Sequence, residues 1–224
     1  MEEKRTAPDT KTDAASYNAT EITIPAHGGT LLIDASPEED ETRKVYIVLS
    51  QTGTALSRIL KLITRAPYNH SSIALTEDLR TMYSFGRTHP YNPFHGGFVQ
   101  ESPDHGTFKR FKNTRVMVLE TEISKEAYSE VGQLIREMVR QKALYHYNYW
   151  GLLLAGLRIP RKKRNCYYCS EFVKAMVLRM ELPGAEEIPD IVKPMHFLTV
   201  PHRTVYVGKL REYAPPNATR GNHT

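Results

Sequence analysis

A cysteine where an extended segment turns into a helix, and a histidine opening a strand, are the residues of this chain best suited to chemistry. Cys169 lies in Asn165-Cys166-Tyr167-Tyr168-Cys169-Ser170-Glu171-Phe172-Val173, ahead of a helix predicted over Ser170–Leu182. The unpaired N–H groups and partial positive charge of a helix N-terminus favour thiolate over thiol. A thiolate becomes a catalyst only beside a base. His70, in Tyr68-Asn69-His70-Ser71-Ser72-Ile73-Ala74-Leu75, is the conspicuous one. Together they are equipped to cleave an amide or ester: the thiolate attacks, the imidazolium protonates the leaving group, and backbone N–H groups hold the oxyanion. Each residue alone has a plainer account. A cysteine can be a small buried hydrophobe, and a histidine an ordinary hydrogen-bonded edge residue.

The chain has 2 cysteines, three positions apart, which argues against a disulfide framework. A zinc site would need further ligands, and neither His196 nor His202 shows ligand spacing. The Cys166/Cys169 pair also matches a thiol-redox motif that opens a helix. That motif belongs after an early strand of a βαβ pattern, and here it lies late in the chain. Cys166 falls in the extended segment and is read as a packing or accessory residue. Tyr168 and Tyr147 are candidate substrate-binding residues, with aromatic packing as the alternative. His89, His95, His105 and His146 show no metal-ligand spacing either, and nothing in the motifs calls for a cofactor.

The elements that must position this pair follow from periodicity. Residues 1–42 are an acidic segment expected to be largely disordered, with short strands at Glu21–Pro25 and Thr30–Ile33. The domain is expected over 43–213, with a loose tail over 214–224. Val45–Ser50 is β-branched and aromatic, a buried strand. Leu56, Ile59, Leu60 and Ile63 have helical spacing, predicting an amphipathic helix over Ala55–Arg65. His70–Thr76 and Thr81–Gly86 read as a hairpin, and the Pro, Asn, His and Gly density over 87–97 predicts a long loop. Gly97–Glu101 and Thr114–Glu120 read as strands. Ser124 caps a helix running to about Leu144, a second helical segment covers Gly151–Arg158, and Thr204–Gly208 is the last strand. Short strands mixed with helices and joined by turns define an α+β domain with an antiparallel sheet.

With its elements in this order, the chain resembles a known group. His70 in Asn69-His70-Ser71-Ser72-Ile73-Ala74-Leu75, followed much later by Tyr168-Cys169-Ser170-Glu171-Phe172-Val173, is similar to the permuted NlpC-type papain-like cysteine hydrolases. The YiiX/YebB-like branch is nearest, and lecithin retinol acyltransferase is a more distant relation. The resemblance covers roughly residues 44–210. It implies a permuted papain-like fold in which the nucleophile helix packs on the antiparallel sheet. By position it implies Cys169 as nucleophile and His70 as base. The group's third polar residue lies on the strand after the histidine strand, here Thr81-Met82-Tyr83-Ser84-Phe85-Gly86. That strand carries neither acid nor histidine. Ser84 becomes the candidate orienting residue, since a hydroxyl accepts from an imidazole N–H. Tyr83, behind it, is a further substrate-binding candidate.

Composition narrows the function classes. Hydrophobic residues make up 40% of 224, enough for one sizeable core. Residues 1–40 hold nine acidic and three basic side chains, a net of −6, leaving +11 on the rest for an overall +5. An acidic lead on a basic body favours anionic partners. Mean hydropathy is −0.47, and the longest apolar run, Tyr149–Leu157, is too short for a span. No signal peptide is visible, so a cytoplasmic location is expected. The reading is a cysteine hydrolase or acyltransferase acting on cell-wall peptides or acyl lipids, with peripheral membrane contact allowed and no nucleic-acid partner expected. The alternatives are a non-catalytic lipid- or peptide-binding module and, further off, a thiol-redox protein.

Overall fold

The run Val45-Tyr46-Ile47-Val48-Leu49 is buried throughout, and its alternate side chains enter opposite clusters. That two-sided burial marks the first strand, β1 (Arg43–Gln51), as an interior strand of the sheet. The structure, a computed structural model, describes residues 42–52, 66–89, 92–156, 159 and 163–215. The helix expected over Ala55–Arg65, the acidic lead segment with its short strands, and the tail from residue 216 lie outside these.

Antiparallel partners flank β1 on both sides. β2 (His70–Ala74) pairs Ser50 with His70 and Tyr46 with Ala74. On the other side β5 (Arg115–Ile123) pairs with β1 along its whole length. The order of the eight-stranded sheet is completed by β3 (Met82–His89), β4 (Asn92–Glu101), β6 (His146–Tyr147), β7 (Cys166–Tyr167) and β8 (Arg203–Lys209). It runs β7-β6-β4-β3-β2-β1-β5-β8. All pairings are antiparallel except β6 with β7, which is parallel. The described residues thus form an α+β fold on a mostly antiparallel sheet.

One face carries the larger core. Leu49, Ile73, Phe85, Phe98 and Leu119 meet two helices there, α2 (Lys125–Arg140) and α4 (Cys169–Arg179). Two shorter helices precede each of these in the chain, α1 (Gly106–Arg110) and α3 (Tyr149–Gly156). On the opposite face Tyr46, Val48, Ala74 and Met82 pack with Phe108 of α1 and with Leu210. Ser124 caps α2 by accepting from the Ala127 N–H at 3.1 Å.

The long loop expected over 87–97 is a hairpin instead. β3 continues to His89 and β4 begins at Asn92, with Gly86 opposite Gly97 and Arg87 opposite Gly96. The two glycines serve close approach rather than a turn. A Cβ on Gly96 would lie 2.5 Å from the Tyr149 hydroxyl, and one on Gly97 2.8 Å from the Tyr145 carbonyl. The helix carrying Cys169 also differs slightly, starting at Cys169 rather than Ser170.

Phe85 is fully buried and meets the rings of Phe98, Tyr145, Tyr167 and Phe172, so it joins β3, β4, α4 and the aromatic segments before α3 and α4. Phe85→Ala should lower stability by about 3–5 kcal/mol in urea unfolding, because no neighbour can fill the vacated space. A loss under 1 kcal/mol would show that this aromatic cluster does not tie the helix to the sheet.

Candidate active site

Side chains on β2 alternate, so His70 and Ser72 share one face while Ser71 and Ile73 share the other. β2 and β3 are joined by a single residue pair, Ile73 with Tyr83. Toward His70 the two strands therefore have no ladder between them. The nucleophile helix packs on this part of the sheet, and the Ser71 and Ser170 hydroxyls meet at 3.1 Å.

Cys169 is the first residue of α4, following the Tyr168 cap, so its N–H belongs to the unpaired first turn of the helix. The Tyr168 N–H donates to the Glu171 carboxylate at 2.9 Å. Asn148, buried ahead of α3, donates to the same carboxylate at 3.2 Å and accepts from the Gly151 N–H at 2.9 Å. These bonds fix the start of α4 against the segment that enters α3.

His70 Nε2 faces the Glu101 carboxylate at 2.9 and 3.1 Å. The Ser72 hydroxyl donates to the same carboxylate at 2.6 Å. Nε2 is thus committed to Glu101. Phe108 lies edge-on to the imidazole, with ring centroids 6.4 Å apart. Gly86 keeps the space between the two side chains open: a Cβ there would stand 3.5 Å from Glu101 Oε1 and 3.7 Å from His70 Cε1.

Thiol and imidazole perturb each other in the sense a thiolate–imidazolium pair requires. Burial alone pushes the Cys169 thiol up. It is outweighed by hydrogen bonding to His70 and the charge of His70, and by the Ser71 backbone N–H and the Ser170 hydroxyl, so the thiol is held below its ordinary value. For His70, burial favours the neutral ring, while the charge of Glu101 and the hydrogen bonds to Cys169 and Glu101 favour imidazolium. The balance raises the histidine well above its ordinary value.

The structure thus brings together two of the expected catalytic residues and replaces the third. Ser84 is fully buried and donates to the Ser71 carbonyl at 2.7 Å. It braces β2 where the ladder to β3 is missing, and the position expected for it is held by Glu101. Glu101 comes from the strand after the one searched, so strand order along the chain misdirected the choice. One signal was readable: alternation puts Glu101 on the same face as Val99, an acid ending a strand beside an apolar neighbour.

The three tyrosines fall in different places. Tyr147 is close to the sulfur: burial and then the charge of Cys169 push its hydroxyl well above its ordinary value. Tyr168 is core, its hydroxyl donating to the Val192 carbonyl at 3.2 Å. Tyr83 stacks on Phe98 with centroids 6.2 Å apart. Cys166 lines a separate cavity of about 370 Å³ with Lys163, Arg164, Lys174 and Asp190. Among the described residues no group of three His, Cys, Asp or Glu side chains could hold a metal ion, and no helix is long and apolar enough to cross a membrane.

No family model, curated protein or solved structure matches the chain.

The pair's pH range follows from the two shifts. Thiolate forms below the usual thiol range, and imidazolium persists above the usual histidine range. Reactivity of Cys169 with an electrophile that needs both should therefore be bell-shaped. Glu101→Gln removes the charge that raises His70, so the alkaline limb should move to lower pH and the maximum fall on the order of 10²-fold. An unmoved alkaline limb in a Cys166→Ser background would show that Glu101 does not set the histidine.

Proposed function

We propose that this protein is a cysteine hydrolase or acyltransferase with a permuted papain-like (NlpC-type) arrangement, forming a thioester on Cys169. The observation that carries the reading is the His70–Glu101 pair with a thiol at Cys169 whose pKa His70 lowers, read as a nucleophile, its base and the base's carboxylate partner. The order of parts supports it too, since the histidine strand precedes the cysteine helix that packs on it.

The chemistry follows from the polarity of each group. The Cys169 thiolate attacks the acyl carbon, and the carbonyl π pair moves to oxygen. The N–H of Cys169 itself, in the first turn of α4, is a donor for that oxyanion. As the intermediate collapses, the His70 imidazolium gives its proton to the leaving amine or alcohol, and a thioester remains. Water, or a second amine or alcohol, then loses a proton to His70 while attacking the thioester, and the thiolate departs. Glu101 keeps the ring oriented and stabilises its charged form through both transfers.

Amides and esters share this path, so the substrate class is an acyl compound of peptide or lipid type. A location in the cytoplasm and action on cell-wall peptides or acyl lipids remain part of this reading. Ser72 holds the carboxylate that holds the ring, a positioning role.

Cys166 provides an internal standard for the test. In one sample, peptide mapping after brief iodoacetamide exposure at neutral pH should show Cys169 alkylated at least about tenfold faster, the effect of one pH unit of thiol acidity. His70→Ala should reduce Cys169 to the rate of Cys166, and an ester substrate should leave an acyl mass on Cys169 in the wild type alone. Equal rates at the two cysteines, unaffected by His70→Ala, would end the enzyme reading.

A further inference from the structure

A cavity of about 570 Å³ runs along β4 and ends at the triad's carboxylate. Its lining includes Gly96 to Glu101 of β4, and Phe108, Val139 and Tyr145 contribute apolar surface. The volume suits a small molecule or the head of a larger one. Its charged lining is one-sided. Arg87 and Lys142 face it, and the acid among its lining residues, Glu101, is already engaged with His70 and Ser72.

Arg87 is the informative member. It is half-buried, and among the described residues no carboxylate pairs with it. Burial and the nearby charge of Arg110 lower its pKa, which is the condition of a guanidinium lacking a counter-ion. A guanidinium presents a planar fork of donors matched to carboxylate or phosphate. Leaving it partly desolvated without an acceptor costs free energy that a bound anion would restore.

The cavity wall at Gly96 packs against β6, whose Tyr147 pairs with Tyr167, two residues before Cys169. Gly96 is the cross-strand partner of Arg87 and lines the cavity. A Cβ there would fall 2.5 Å from the Tyr149 hydroxyl and 2.8 Å from Tyr147 Cβ, so both tyrosines sit against this point. Their rings are 4.6 Å apart. Tyr147 and Tyr149 both feel the charge of Arg87, and Tyr147 also feels that of Cys169.

We propose that Arg87, assisted by Lys142, forms an anion subsite that holds a phosphate or carboxylate group of the acyl substrate while its carbonyl lies at Cys169. The proposal rests on the acyl-transfer reading and narrows it to anionic substrates. A phosphate would come from a lipid or phosphorylated head group, a carboxylate from a peptide or diacid.

Two measurements test it on the full chain. The first is the ratio of the Cys169 alkylation rates for iodoacetate and iodoacetamide, which cancels thiol reactivity and reads the pull on negative charge. Arg87→Gln should lower this ratio about fivefold, the scale of one charge near a partly desolvated site, and Lys142→Gln, at an exposed position, should lower it less. The second is the rise in Tm with inorganic phosphate and with succinate, which does not involve the thiol. Stabilisation by either, lost in Arg87→Gln and partly restored in Arg87→Lys, supports the subsite. Phosphate alone identifies a phosphorylated substrate, and succinate alone a carboxylate. If Arg87→Gln does not fold, Lys142→Gln carries both readouts. An unchanged ratio together with stabilisation indifferent to both substitutions overturns the proposal. A Cys169 inert to both reagents, with anion stabilisation intact, would sink the acyl-transfer reading and leave the subsite standing.

Discussion

Burial disfavours the charged forms of both the Cys169 thiol and the His70 ring, and neighbouring groups offset it: Glu101 and then Cys169 for the ring, His70 for the sulfur. Removing either charge from water costs several kcal/mol, which mutual attraction recovers only with good geometry and further hydrogen bonds. Here Glu101 and Ser72 provide those bonds on one side of the ring. On the other side the Ser71 N–H and the Ser170 hydroxyl support the sulfur. The gap between β2 and β3 matters for the same reason. A full ladder beside His70 would commit the backbone of residue 71 to a neighbouring strand.

Much of the remaining structure holds that gap at one width. Ser84 spans it with a single hydrogen bond to the Ser71 carbonyl. Phe85, one residue further along β3, turns to the opposite face and joins the aromatic cluster under α4. Position and packing are thereby coupled: consecutive residues of one strand brace the histidine strand and anchor the cysteine helix. The carboxylate of Glu171 and the amide of Asn148 set the start of that helix in turn.

The sequence made some of this legible and hid the rest for physical reasons. β1 was readable as an uninterrupted β-branched and aromatic run, β2 from alternation and α2 from its capping serine and helical spacing, and Cys169 and His70 stood out where a helix and a strand begin. The 87–97 segment was misread because glycine signals both turns and close contacts, and only the tyrosines packed against Gly96 and Gly97 tell the two apart. The two-residue strands β6 and β7 have no pattern of their own: the chain before α3 is brought alongside β4 as β6, and the chain after it alongside β6 as β7. Glu101 was overlooked because its partner is reached across β3, a neighbour in space with no signature in spacing.

The separation of the three groups along the chain has a consequence for synthesis. His70 and Glu101 belong to strands of one β2-β3-β4 stretch, whereas Cys169 follows three further helices, α1, α2 and α3. A ribosome therefore releases the base and its carboxylate well before the nucleophile. Until α4 docks, the thiol has neither the imidazole nor the Ser71 N–H to lower its pKa, and it stays an ordinary, mostly protonated cysteine. On the proposed function, the sulfur would thus become a nucleophile only once α4 has docked on the sheet, and a chain that has not reached that point would carry an ordinary thiol.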